Sequence, residues 1–431
     1  MVYRRHLHLY ITIWPNSNRK FFSKALELTA KQPTTLFLPF LSLTVALSPR
    51  SPTRTLNTRA STCTPVAGGT STTDDVPAIA SALSTCGDGG VIVIPSGTTY
   101  YINSVLDFSS CSGCDFQIEG TLKFASDTDY WEGRTAMMYV KGVTGMTMRS
   151  LTGSGVINGN GQDAYDLFAS NSSYQRPTLL YITSSSNIKI SGLTQKNPPN
   201  VFNSVTGSSS DIHFSDLTMT ATSKSTNAAK NTDGFDIGSC TTVSITSVTV
   251  INDDDCVAFK PGANYVTVSD ITCTGSHGLS VGSLGSSGDD AVKNVYVTGA
   301  TMINSTKAAG IKTYPSGGDH GLSTVTNVTW SGVVVDGCDY AIQIQSCYGE
   351  DASYCEDYPG DAVLSDVVFE GFSGTTSGKY GDVTGNVDCG ADGTCGVTVS
   401  DYTVVAPDGE NEVLCANTED LGVTCTSGAS G

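Results

Sequence analysis

The sequence predicts an all-β chain wound as a parallel β-helix, a solenoid of stacked coils with a short helix capping its N-terminal end. Three observations predict it. First, a short pattern recurs: apolar, any, apolar, any, small or acidic, apolar. It stands at Met146-Thr-Met148-Arg-Ser-Leu151, Ile188-Lys-Ile190-Ser-Gly-Leu193, Ile212-His-Phe214-Ser-Asp-Leu217, Val243-Ser-Ile245-Thr-Ser-Val248 and Val266-Thr-Val268-Ser-Asp-Ile271. Later copies start at Val295, Val328, Val367 and Val397. Second, successive copies lie 23 to 42 residues apart, the size of one coil with loops absorbing the variation. Third, Asp233, Asp255 and His277 are each 22 residues from the next, and each stands two residues before an apolar residue: Phe235, Val257 and Leu279.

Each element follows from simple chemistry. Alternation of apolar and polar residues means a strand with one face inward. The Gly, Asp or Ser that follows bends the chain into the next strand. A coil buries its inward face only when stacked on neighbours, so repetition itself stabilises the fold. A β-propeller would need four antiparallel strands per blade and a more uniform period. A leucine-rich repeat would show an Asn and Leu ladder, which is absent.

Residues 1–60 read differently from the rest. They hold nine of the 23 basic residues and one of the 41 acids. Leu36 to Leu47 has the length of a secretory signal core, with cleavage expected between Ala46 and Ala60. Residues 1–60 are therefore expected to be an extension and signal, removed from a single domain over 61–431. No apolar run reaches the roughly 18 residues of a membrane span. Next, Asp75 to Leu83 predicts the short helix, with Asp74 or Asp75 capping it and Pro77 in its first turn. It would cover strand edges at the open end of the solenoid.

The remainder carries 14 basic and 40 acidic residues, a net charge of −26. That excludes nucleic acid and anionic membranes as natural partners and suits an acidic extracellular medium. All 14 cysteines lie after residue 60, as disulfides in an oxidising compartment require. The close pairs Cys389–Cys395 and Cys415–Cys425 are expected bridges. So are Cys256–Cys273, one coil apart, and Cys63–Cys86, which would staple the N-terminus. Cys-x-x-Cys pairs with matching His, the pattern of a zinc site, do not recur. Asn171, Asn304 and Asn327 begin glycosylation sequons.

Stacked coils place Asp233, Asp255 and His277 one above another at about 4.8 Å per coil. Together with Asp254 they form a carboxylate stripe, the equipment of glycosidic bond hydrolysis. Lys312, alternating with Ile311, is expected to point outward on the next coil. The competing reading makes Asn252-Asp253-Asp254-Asp255 a set of Asx-turns or a calcium loop.

Asn231-Thr-Asp-Gly-Phe-Asp236, Asp254-Asp-Cys256, Gly275-Ser-His-Gly-Leu-Ser280 and Ile311-Lys312 resemble, in order and spacing, the four signature motifs of glycoside hydrolase family 28, the polygalacturonases. The resemblance spans roughly Cys63 to Cys425. It implies a right-handed parallel β-helix and a secreted, inverting hydrolase of α-1,4-galacturonosyl linkages in pectin. It implies no cofactor and no metal, a pectic galacturonan as partner, and a monomer. Carried over, Asp254 is the general acid, Asp233 and Asp255 hold and activate the water, and His277 tunes the cluster. Clustered carboxylates raise the pKa of one of them, expected to be the acid. Asn231, Lys312, Gly310 and Tyr348 fall in the substrate-binding positions, with Lys312 pairing the sugar carboxylate.

Two departures matter. The family's Arg-Ile-Lys is Gly310-Ile311-Lys312 here, and Ser276 with Asp253 replace residues commoner in endo-acting members. Ser-His-Gly resembles exo-acting members and those acting on substituted galacturonan, including xylogalacturonan hydrolases. Gly310 is expected to open space beside Lys312 for a side chain on the polymer, such as xylose. The alternatives are a polysaccharide lyase on the same solenoid and a non-catalytic pectin-binding solenoid.

Overall fold

The computed structural model describes residues 61–431. The expected signal lies in 1–60, outside the described residues. Parallel strands stack into two sheets, one of 18 strands and one of 12, wound as a right-handed parallel β-helix. The recurring apolar positions form one interior column. Ile188 pairs in register with Ile212, Ile212 with Val243, Val243 with Val266, Val266 with Val295, Val295 with Val328, and Val328 with Val367. All of these are buried. Aromatic side chains fill the same interior, with Trp330 stacked on Phe369 at 4.7 Å.

The bends are made as the small or acidic position predicts. Gly192, Asp216, Ser247, Asp270, Gly299, Gly332 and Gly371 all adopt a left-handed φ, between 54° and 67°. Gly, Asp and Asn reach that region at low cost. A second left-handed column, which sequence patterning does not reveal, precedes each repeat: Asn187, Asp211, Thr242, Tyr265, Asn294, Asn327 and Asp366. Thr242 and Tyr265 gain nothing locally from this conformation. The paired strands on either side impose it.

The capping helix runs Val76–Cys86 with Ile79, Leu83 and Cys86 buried. Asp75 is its first flanking residue but does not cap it with its side chain. Its carboxylate instead accepts the amides of Gly68 and Tyr101, and Asp74 accepts the Val76 amide at 3.2 Å.

Six disulfides are present: Cys63–Cys86, Cys111–Cys114, Cys256–Cys273, Cys347–Cys355, Cys389–Cys395 and Cys415–Cys425. Two findings correct the sequence reading. Cys256–Cys273 ties two walls of one coil, because a full turn carries Cys256 to Gly278. Cys240 and Cys338 are free, buried inside the solenoid, where burial pushes both thiols up, to about 12 and about 11. Among the sequons, Asn171 and Asn304 are exposed. Asn327 is half-buried and its amide donates to Asn294 Oδ1 at 2.7 Å and to Tyr296. A sugar on that nitrogen would replace one of the two N–H groups that make these bonds.

Candidate active site

The site lies on the smaller sheet. The strands Asn203–Thr206, Phe235–Ile237, Val257–Phe259, Leu279–Leu284, Lys307–Thr313 and Tyr340–Gln345 stack in that order. Phe235, Val257 and Leu279 are direct register partners. The 22-residue spacing therefore places Asp233, Asp255 and His277 at equivalent points just before three successive strands. Gly278, at φ +116°, turns the chain after His277 as a bend there requires. Gly234 does not take a left-handed φ. It is needed because a Cβ there would lie 2.5 Å from the Cys256 carbonyl on the next coil.

One oxygen from each of Asp233, Asp254 and Asp255 lies within 4.8 Å of the other two. Asp255 is 1% exposed. Lys312 Nζ donates to its Oδ2 at 2.6 Å and Ser280 Oγ to its Oδ1 at 2.6 Å. Burial would raise the Asp255 carboxyl, but Lys312, then Lys307, hold it below the usual carboxylate range. Asp254 is treated similarly. Burial would raise it, and the hydrogen bond from His277, whose Nδ1 lies 3.3 Å from Oδ1, outweighs that. Asn231 donates to Asp254 Oδ2 at 3.1 Å and the Asp255 amide to Oδ1 at 2.8 Å. The result is a carboxylate held down to about 2. The bond to Asp254 raises His277 above its ordinary value.

Asp233 differs. Burial, then the neighbouring Asp236 and Asp254 carboxylates, push it well above the usual range. The neighbouring Asp236 carboxyl is itself raised by burial. The raised carboxyl is therefore Asp233 and not Asp254, where sequence reasoning placed it. Asp254 collects hydrogen-bond donors, and Asp233 faces another acid.

The groove over these residues has a volume of about 530 Å³, within the range of ligand sites, about 300–1,000 Å³. Asn231, Asp233, Asp254, Asp255, Lys312 and Tyr348 line it. His277 supports Asp254 from beside it. Lys312 Nζ sits 5.5 Å from the Tyr348 ring centre. Ser276 is fully buried, where its hydroxyl receives the Gly278 amide, so this departure acts on the turn.

Gly310 is a correction. A Cβ there would meet the Gln343 carbonyl oxygen at 2.1 Å and Lys307 Cδ at 3.0 Å. The glycine permits close approach to the next coil. It does not open a slot beside Lys312, because the Lys307 stem covers that place.

Five groups escape sequence reasoning. Arg176 lies 3.6 Å over the Phe168 ring and donates to Asn231 Oδ1 at 2.7 Å, fixing the residue that donates to Asp254. It comes from a loop without a pattern. Lys307, buried and lowered to about 8 by burial and by Lys312, donates to the His277 carbonyl at 2.7 Å. Ser280 was part of a recognised motif but its hydroxyl was not singled out. Asp236 closes a motif likewise, and Lys260 Nζ lies 3.6 Å from it. Lys260 follows its strand as Lys312 follows Ile311, the one signal that could have found it. Four cations thus face four carboxyls in an otherwise acidic protein.

The family model described as "Glycosyl hydrolases family 28" matches residues 86–427. Endo-xylogalacturonan hydrolase A of Aspergillus tubingensis is 70% identical over 383 residues, 89% of this chain and 94% of that protein. The crystal structure of endo-xylogalacturonan hydrolase from Aspergillus tubingensis superposes with a TM-score of 0.86 at 71% identity, covering 86% of this chain and 100% of that one. The polygalacturonase from Erwinia carotovora shares the fold, with a TM-score of 0.65 at 19% identity over 84% and 96% of the two chains. With its acid-lined groove on a right-handed β-helix, the chain belongs to glycosyl hydrolases family 28.

Proposed function

We propose that this protein is a secreted, endo-acting hydrolase of xylogalacturonan that cleaves galacturonosyl linkages in the pectin backbone. The observation that carries the chemistry is the cluster of Asp233, Asp254 and Asp255, one oxygen of each within 4.8 Å of the other two, in a groove that Lys312 also lines. Asp255, ionised beside Lys312, accepts a proton from water. Asp233, whose carboxyl burial and then Asp236 push up, helps to hold that water. The His277–Asp254 pair holds the second proton, and Asp254 delivers it to the leaving glycosidic oxygen. Lys312, and beside it Lys260, offset the carboxylates of the polymer. The 70% identity to a xylogalacturonan hydrolase supports the substrate and the endo mode.

The nearest carboxyl oxygens are closer than the roughly 6.5–9.5 Å between acid and base in a two-carboxylate inverting site. The stereochemical course is therefore tested directly. Proton NMR during hydrolysis should show the β-anomer of the new reducing end first, as inversion of an α-linkage requires. An α-anomer appearing first would reject inversion. Product lengths over time on xylogalacturonan should begin with long oligomers. Release of only mono- or disaccharides from the outset would reject endo cleavage. Activity should survive a chelator, and the products should lack the ultraviolet absorption of a lyase double bond.

A further inference from the structure

Beside the catalytic groove the same sheet carries a second hollow of about 280 Å³. It shares Asp236 and Lys260 with the groove. At these coils the groove runs along the residues that precede the strands: Asn200, Val201, Asn231 and Asp233. The hollow runs along the ends of the strands and the residues beyond them: Thr206, Gly238, Ser239 and Pro261. The two lie side by side. The hollow is a bay beside the acid-lined part of the groove.

The walls of the bay follow from register. Tyr139, Tyr181, Ser204 and Asp236 occupy one outward column on successive coils. Tyr139 and Tyr181 stack on each other, ring centres 6.0 Å apart and planes 27° apart. The column then drops from an aromatic ring to the small Ser204. The second face of Tyr181 is left toward the hollow. Two coils separate Tyr181 from Asp236, about 10 Å at about 4.8 Å per coil. That gap holds one ring between the tyrosine face and the Asp236–Lys260 pair. Hydroxyls of Ser204, Thr206 and Ser239 line its floor and side. The volume is near the small end of ligand sites, about 300 Å³.

We infer that this bay is a side-branch subsite, in which a neutral pentose on the galacturonan backbone packs one face on Tyr181 and hydrogen-bonds the Ser204 and Thr206 hydroxyls. Its placement replaces the space once expected at Gly310. A neutral sugar suits it, because Lys260 already lies against Asp236 and the rest of the lining is uncharged. A flat, hydroxylated ring gains from an aromatic face on one side and short hydroxyls around its rim. The inference rests on the reading of xylogalacturonan as substrate.

The test compares two polymers: xylogalacturonan, and the same preparation after enzymatic removal of its xylose. The readout is the ratio of kcat/KM on the first to that on the second. Ser204→Trp extends the tyrosine ladder into the bay and fills it. Tyr181→Ala removes its stacking face. Thermal unfolding verifies that each variant is folded, and either variant alone suffices if the other fails to fold. The ratio should fall at least tenfold in Ser204→Trp and severalfold in Tyr181→Ala. An unchanged ratio overturns the bay as a branch subsite. Equal losses on both polymers overturn it too, because the bay then serves a backbone sugar. A wild-type enzyme that cleaves neither polymer overturns the functional reading first, and the bay with it.

Discussion

The two walls of each coil obey different rules. In the long-strand wall, Ala263–Thr274 alternates between buried and open positions along most of its length. In the short-strand wall, Lys307–Thr313 is buried at every position, and so is Val257–Phe259. The inward residues of both walls are mostly apolar, and Gln195 and Asn203, inward on the two walls, hydrogen-bond each other. The outward residues of the short-strand wall, Ala258, Ser280 and Gly310, are small and also covered. What covers them is charge: the acids and lysines of the groove. One wall holds the fold by removing apolar surface from water. The other spends part of that stability on desolvating charged groups, a cost offset where they are paired, as Asp255 is with Lys312 and Asp254 with His277.

Substitutions in the groove should therefore abolish activity and spare the fold. Asp254→Asn removes the proton donor and should lower kcat by about 10²–10⁴, with a small change in Tm. Asp255→Asn should behave similarly. Asp233→Asn should be milder than either, because Asp233, pushed up by burial and by Asp236, neither accepts nor delivers the proton in the proposed reaction. Rates for the three variants on one substrate check the order. If Asp233→Asn is the most damaging, the proposed division of roles among the three acids is wrong.

The long-strand wall should show the reverse. Trp330→Ala deletes a fully buried ring stacked on Phe369 and should cost about 3–5 kcal/mol. Denaturant unfolding measures that, and activity per folded molecule should stay close to wild type. A loss of specific activity without loss of stability would mean that the two walls are not separable.

The smallest effect should be the pH window of the His277–Asp254 pair. His277 is raised, so its share of stability is complete below its unfolded pKa, about 6.5, and fades as pH rises through its folded value. Asp254 is depressed, so its share is complete above its unfolded pKa, about 3.9, and fades as pH falls toward about 2. Tm of wild type minus that of His277→Gln should be largest between about 4 and 6.5. The difference should be small, since the His277 side chain is 40% exposed and screened. A difference independent of pH would remove the ion pair from the account.

Much of the fold was legible in the chain. The column from Ile188 to Val397 could be read because one position per coil must face the interior. The left-handed bend at Asp216, Ser247 and Gly299 could be read because small and acidic residues favour it. The bend at Thr242 and Tyr265 could not, since neither residue prefers that conformation. Of the site, the carboxylates and Lys312 were legible through spacing and motif. Arg176 was not, because its loop carries no repeat. Gly310 misled because removing a side chain reads as empty space until the neighbouring Lys307 stem is in place.

The sequence by itself determined the stacking, the family and the alignment of the acids, since a fixed period forces equivalent residues into line. Only the tertiary structure decided which acid is pushed up and which is held down, and where a hollow remains. Protonation depends on how many donors reach each carboxyl. A hollow depends on what the next coil, far away in sequence, puts beside it.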